Sequence, residues 1–224
     1  MTDADPYMQE RHEMVERQIR ARGVSDPEVL EAMRTVPRHL FVPPDLQRLA
    51  YQDRPLPIGG GQTISQPYIV AVMTELLELK RSDRVLEVGS GSGYQAALLG
   101  RIVDRVVSIE RLPEVAAQAR KNLQRAGIAN VTVIVGDGTQ GYPEEAPYDG
   151  IMITAAAPGV PEPLIEQLAE GGRLVAPVGN RDVQDLVRLI KRGGEVTSTT
   201  FGGVCFVPLI GRHGWRERFY DDLL

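Results

Sequence analysis

From residue 84 to residue 178 the chain alternates short, β-branched apolar runs with segments of helical period. That rhythm restricts the fold more than any other feature. Residues 84–88, 105–110, 131–135, 149–154 and 172–178 read as strands, and 94–101, 113–126 and 161–170 read as helices. Strand–helix alternation of this kind predicts a doubly wound, Rossmann-like α/β sheet whose strands are mostly parallel. The rhythm then breaks. Residues 183–191 and 196–201 read as two strands joined by a tight turn at Arg192-Gly193-Gly194-Glu195. The sheet should therefore be mixed, finishing in an antiparallel C-terminal hairpin. The pattern leaves the order of its last two strands open.

A different kind of chain precedes the sheet. Residues 7–22 are rich in Glu, Arg and Met and stop at Gly23, which predicts a helix. Ser25-Asp26-Pro27 opens a second helix that should run to Thr35, since Pro37 follows. Five prolines then punctuate residues 36–61, which cannot form a central sheet and read as a wrap-around arm. Ser65 is placed to cap a helix over residues 67–79. We therefore expect a helical and proline-rich N-terminal appendage over 1–64 and a cofactor-binding unit over 65–224.

With 224 residues, 42% hydrophobic and 25% charged, the chain can bury a sizeable core. Its net charge of -5 argues against a general nucleic-acid partner. The basic run Arg181, Arg188, Lys191 and Arg192 reads as a solvated face. A single cysteine, Cys205, excludes an internal disulfide, and its apolar neighbours suggest a small buried strand residue. Residues 1–10 are polar, and no apolar run approaches the ~20 residues of a membrane span. We expect a cytoplasmic monomer with no membrane partner.

The chemistry begins at Glu87-Val88-Gly89-Ser90-Gly91-Ser92-Gly93-Tyr94, between the first strand of the sheet and its helix. Gly89, Gly91 and Gly93 let the backbone turn sharply and come close to a ligand. Their Gly-x-Gly-x-Gly spacing departs from the Gly-x-Gly-x-x-Gly loop that places a pyrophosphate on a helix N-terminus. A loop this tight, with acidic Glu87 before it, suits a phosphate-free ligand such as S-adenosylmethionine, which carries an ammonium and a sulfonium. Glu110, at the end of the next strand, is placed to accept from both ribose hydroxyls, although it could be an ordinary exposed acid. Asp137, in Gly136-Asp137-Gly138, could reach the adenine amine or could serve as a turn residue. All three elements lie at the carboxyl ends of strands, where open α/β sheets bind ligands.

An acceptor site is suggested by residues 55–69, Pro-Leu-Pro-Ile-Gly-Gly-Gly-Gln-Thr-Ile-Ser-Gln-Pro-Tyr-Ile. These glycines and prolines shape a loop that ends at a helix N-terminus, where backbone N–H groups favour an anion. Ser65 adds a hydroxyl there. In this loop the sequence resembles the protein-L-isoaspartate O-methyltransferase family. The likeness includes Val36-Pro37-Arg38-His39-Leu40-Phe41-Val42-Pro43, Gly61-Gln62-Thr63-Ile64-Ser65-Gln66-Pro67, the glycine loop, Gly136-Asp137-Gly138, Tyr148-Asp149-Gly150-Ile151 and Phe206-Val207-Pro208-Leu209.

The resemblance implies methyl transfer from S-adenosylmethionine to isoaspartyl residues of damaged proteins and peptides. Ser65 would be the active-site hydroxyl. Thr63, Ile64 and Ser65 would lie over the cofactor's reactive end, with Glu87, Gly89, Ser90, Gly91, Gly93, Glu110, Arg111, Asp137 and Gly138 around the rest of it. Ile58, Gly61 and Gln62 would face the substrate, and Val207-Pro208-Leu209 would hold the peptide extended. The acceptor is an α-carboxylate with a pKa of ~3.5, ionised without help, so no catalytic histidine and no metal are expected. His39 reads as a packing residue. The readings that compete are a methyltransferase for a small acid or amine, a nicotinamide-dependent oxidoreductase and a cofactor-sensing module.

Overall fold

The computed structural model describes residues 5–216. Residues 1–4 and 217–224, which hold the start of the polar segment 1–10 and the end of the tail beyond Gly211, lie outside the described residues. The expected first helix is an α-helix only over α1 (Met8–Met14). It continues as a π-helical turn, Val15–Ile19, and a 3-10 turn, Arg20–Arg22, before Gly23 stops it at φ 102°. Helix α2 (Pro27–Thr35) starts as its sequence implies, with the Asp26 carboxylate accepting from the N–H groups of Glu28 and Val29.

The arm carries a two-stranded antiparallel hairpin, β1 (Leu56–Gly59) and β2 (Gln62–Ile64), turning through Gly60 and Gly61, both at positive φ. It leads to α3 (Pro67–Leu76), which ends sooner than expected, because Glu78 takes the left-handed conformation at φ 47°. Ser65 does not cap α3. Pro67 occupies the first helical position, so Gln66 becomes the cap residue, and its own side chain makes no cap bond.

The main sheet holds seven strands. They are β3 (Arg84–Val88), β4 (Arg105–Glu110), β5 (Val131–Val135), β6 (Tyr148–Ile153), β7 (Leu168–Gly179), β8 (Gln184–Arg192) and β9 (Glu195–Val204), in the order β5-β4-β3-β6-β7-β8-β9. Pairings from β5 to β7 are parallel, and those of β7 with β8 and β8 with β9 are antiparallel. The last two strands thus follow chain order across the sheet. Helices α4 (Tyr94–Ile102), α5 (Pro113–Arg125) and α6 (Glu162–Glu166) connect the strands, and short 3-10 turns include Arg38–Phe41 and Pro44–Leu49 in the arm. Helix α6 is shorter than its sequence suggests. Leu168 instead pairs with Tyr148, and the Gly171–Gly172 step bulges the new strand before Arg173 resumes the register.

Strand order reverses at β3, whose neighbours are β4 on one side and β6 on the other. That reversal opens a crevice beyond the carboxyl ends of these strands. Side-chain alternation sorts the core into two layers: Val85 and Val106 join one cluster, Leu86 and Val107 the other. The first cluster also takes in Met14, Ile19, Met33 and Phe41, so the N-terminal segment and one face of the sheet share a single core. The basic run is dispersed. Arg188 pairs with Glu78, Lys191 donates to carbonyls at the end of α6, and Arg181 stacks on Trp215.

Candidate active site

The glycine loop follows β3 into the crevice. Gly89, Gly91 and Gly93 all adopt positive φ (99°, 51° and 86°), which side chains other than glycine rarely tolerate. Gly89 also abuts the Thr154 hydroxyl so closely that a Cβ would collide with it. The N–H groups of Gly89 and Ser90 donate to the Ile109 carbonyl at 2.8 and 3.2 Å, pinning the loop to β4. Glu110, buried at the end of β4, accepts from Gly91 N at 2.9 Å through one oxygen and from Leu112 N at 3.0 Å through the other. Each oxygen keeps a lone pair for a ligand hydroxyl.

A pocket forms between this loop and the hairpin. Its walls include Gln62, Thr63, Ile64 and Ser65 from one side and Gly89, Ser90, Gly91 and Glu110 from the other. Ile58 packs over Gly91, so the hairpin lies across the loop. Thr154 and Ala155, just past β6, and Phe206 and Val207, past β9, close the pocket. Thr154 went unnoticed in the sequence. Its position at the end of a strand was the available signal, the same one that singled out Glu110. Its hydroxyl donates toward the carbonyls of Val88 and Gly89 at 3.0 and 2.6 Å, bracing the loop from beneath.

A second cleft, of about 510 Å³, lies beside the first and is within the size range of ligand sites. It is lined by Pro55, Gln66, Ile69, Asp182, Val183 and residues 203–207. Thr63, Ser65, Thr154, Phe206 and Val207 belong to both walls, so the two cavities meet at these five residues. The Ser65 hydroxyl is half-exposed at the junction and makes no hydrogen bond to any described residue. Cys205 is exposed in this cleft, not buried in a strand, because β9 ends at Val204 and the chain leaves the sheet. Ala156 N donates to Val207 O at 2.8 Å and Leu209 N to Ala156 O at 2.7 Å, fixing 207–209 beside β6.

Several expected site residues stand elsewhere. Glu87 is fully buried beneath the loop, not in the pocket wall; its carboxyl bonds Ser108 Oγ, which in turn bonds Ser90 Oγ at 2.5 Å. The Asp137 carboxylate is occupied by its own turn. It accepts from Thr139 N and Oγ1, Gln140 Nε2 and Arg212 N, and these donors hold its pKa below the usual carboxylate value against the effect of burial. Gly138 is buried where a Cβ would press within 2.6 Å of the Val88 side chain. Arg111 and Gly61 are exposed and outside both walls, Leu209 is buried, and Pro208 bridges to Ala156. His39 packs as expected, buried against Tyr7 and Tyr51, and burial lowers its pKa.

Burial pushes the Glu87 carboxyl up to about 8; the Ser108 hydroxyl opposes that rise and the nearby Glu110 charge adds to it. The group therefore stays protonated in the fold at pH 7. In the unfolded chain it ionises near 4.5. Between these values the folded state holds the extra proton, so this group makes stability fall as pH rises from about 4.5 to about 8. We expect Glu87→Gln, which cannot ionise, to lose less stability than the parent between pH 5 and pH 8 in urea titrations. Parallel losses in the two proteins would mean that Glu87 is already ionised in the fold.

The first pocket carries one carboxylate, Glu110, and no Lys, Arg or His in its wall. That carboxylate suits a ligand with ribose hydroxyls and its own positive charges. A doubly wound sheet with this loop at the reversal of strand order is a nucleoside-binding architecture, and its relatives place this chain among the S-adenosylmethionine-dependent methyltransferases. Residues 9–214 match the family model described as protein-L-isoaspartate(D-aspartate) O-methyltransferase, and the chain belongs to that family.

Relatives named protein-L-isoaspartate O-methyltransferase include one from Methanoculleus marisnigri, 67% identical over 96% of this chain and 97% of its own. Another, from Methanospirillum hungatei, is 62% identical over 94% and 97%. A solved protein-L-isoaspartate O-methyltransferase superposes with a TM-score of 0.81 at 32% identity, covering 91% of this chain and 67% of the other. A Plasmodium falciparum crystal structure, described as a beta-aspartate methyltransferase in complex with S-adenosyl-L-homocysteine, gives 0.79 at 28%, covering 89% and 98%.

Proposed function

We infer that this chain transfers the methyl group of S-adenosylmethionine to the free α-carboxylate of L-isoaspartyl residues in damaged proteins and peptides, initiating their repair. The family supplies the reaction. The observation that carries the site reading is the common wall of the two clefts, where Thr63, Ser65, Thr154, Phe206 and Val207 face both cavities. A methyl donor in one cavity and a carboxylate in the other would meet there.

The cofactor brings a methyl group activated on a sulfonium. Glu110 and the glycine loop would hold its ribose and its amino-acid end, and Thr63 and Ile64 would cover the reacting region. Ser65, whose hydroxyl the fold leaves unused, orients the acceptor carboxylate. That carboxylate is ionised at neutral pH, with a pKa of ~3.5, so no side chain needs to remove a proton. Rate comes from alignment in a pocket that excludes water, worth up to ~7–11 kcal/mol in favourable cases. The sulfonium's charge would attract the carboxylate in the ground state, and so would contribute binding more than rate.

The substrate backbone lies along residues 203–207, with Val207-Pro208-Leu209 keeping it extended. The Ala156 bridge uses Val207 O and Leu209 N, and Pro208 has no N–H to leave unpaired. Residues 1–64 act as the acceptor-side appendage; Gln62 lines the first pocket, and Ile58 packs over Gly91 of the loop. On this reading the chain works as a cytoplasmic monomer. No helix among the described residues is long and apolar enough to cross a membrane. Neither clefts nor charge suggest a nucleic-acid partner.

The neighbouring backbone nitrogen attacks the methyl ester and expels methanol, giving a succinimide, and water reopens part of that to normal aspartate. Incubating an isoaspartyl peptide with the protein and S-adenosylmethionine should therefore convert it stepwise to its aspartyl isomer, separable by chromatography. Loss of the isoaspartyl form at the same rate without S-adenosylmethionine would contradict the function.

A further inference from the structure

Arg38 has no place in the chemistry described so far, yet it is the largest of the fully buried side chains. It is 0% exposed, and no carboxylate pairs with it among the described residues. Its Nε donates to the Ala50 carbonyl at 2.7 Å and its Nη2 to the Ser65 carbonyl at 2.7 Å. The guanidinium carbon sits 4.8 Å from the centre of the Tyr94 ring, at the head of α4, and Nη1 has no partner. Asp53 acts on it only through space; the Asp53 oxygens are taken by Arg22, Gln66 Nε2 and Tyr68 N.

Burying a cation with no counterion is unfavourable, and an apolar side chain of similar volume would fill the space at less cost. What an apolar side chain cannot do is join two carbonyls. The Ser65 hydroxyl makes no bond of its own to the described residues, so its location depends on its backbone, and Arg38 holds that backbone's carbonyl.

We propose that Arg38 is the positioning residue of the acceptor site: its fork ties the Ser65 carbonyl to the Ala50 carbonyl of the arm and so sets the Ser65 hydroxyl at the boundary between the two clefts. Asp53 completes the arrangement from the next turn of the arm, bonding the Gln66 side chain and the Tyr68 N–H. The helical and proline-rich segment before the sheet thereby acts as a clamp on residues 65–68. This inference rests on the assignment of Ser65 to the acceptor.

Arg38→Lys keeps the charge but brings one nitrogen to two carbonyls, and Arg38→Met keeps much of the volume without the charge. Both are assayed with an isoaspartyl peptide well below their melting temperatures, and turnover is expressed per folded molecule. We expect kcat to fall by about 10²-fold in each, the size of a small misplacement of a reacting group. S-adenosyl-L-homocysteine affinity should stay within about three-fold, since the cofactor cavity keeps its walls. Combining Arg38→Lys with Ser65→Ala should leave turnover within about two-fold of Ser65→Ala alone, because residues acting through one group are not additive. Unchanged turnover in the folded Met variant, a matching loss of cofactor-product affinity, or additive losses in the double variant would each overturn the proposal. An inactive parent protein would instead overturn the functional reading beneath it.

Discussion

Ser65→Ala lowers turnover of an isoaspartyl peptide by about 10²-fold, the size of loss expected when a reacting group is no longer held in line. S-adenosyl-L-homocysteine binding, followed by calorimetry, changes little, because the glycine loop and Glu110 are untouched. Stability is the discriminating readout. Were Ser65 a helix cap, the substitution would cost about 1 kcal/mol. Gln66 holds the cap position instead, and the Ser65 hydroxyl has no partner among the described residues, so the melting curve should shift by no more than about 0.5 kcal/mol. Full turnover in the variant would remove Ser65 from the acceptor.

Glu110→Ala weakens cofactor binding by about 10²-fold or more. Hydrogen bonds to a charged group contribute about 1.5–3 kcal/mol each, and two ribose hydroxyls are lost at once. The substitution also frees Gly91 N and Leu112 N, which the carboxylate fixes at 2.9 and 3.0 Å, so the loop itself loosens. Glu110→Gln separates the two effects. It retains an acceptor for one amide and should recover part of the affinity. Equal affinity in parent and alanine variant, measured with S-adenosyl-L-homocysteine, would place the ribose elsewhere.

These two residues also show what the sequence makes legible. Glu110 was recognisable because strand, loop and next strand follow a fixed spacing, and the end of the second strand must lie beside the loop of the first. The parallel strands were recognisable because both their faces are buried, which leaves a run of apolar residues such as Val85-Leu86. Family likeness singles out Ser65, which the fold places in the wall common to both cavities, but its expected cap is not formed, since Pro67 moves the cap to Gln66.

What stayed hidden depends on contacts distant in the chain. Arg38 looks like any arginine in a proline-rich arm until the carbonyls 12 and 27 residues away close around it. Glu87, two residues before the loop, suggested a ligand contact. Its burial under Ser108 and Ser90 is a matter of how β3 and β4 align. Cys205 borrowed the look of a strand from its neighbours, whereas β9 stops one residue before it. Asp137 offered a turn and a ligand contact at once, and four donors from residues 139, 140 and 212 take up its oxygens.

The most direct measurement uses two short peptides identical except at one position, isoaspartate in one and aspartate in the other. Each is incubated with the protein and methyl-labelled S-adenosylmethionine, and base-labile label is counted. We expect label in the isoaspartyl peptide alone. Equal label in both, or none in either with S-adenosyl-L-homocysteine binding intact, would contradict the assignment of the acceptor.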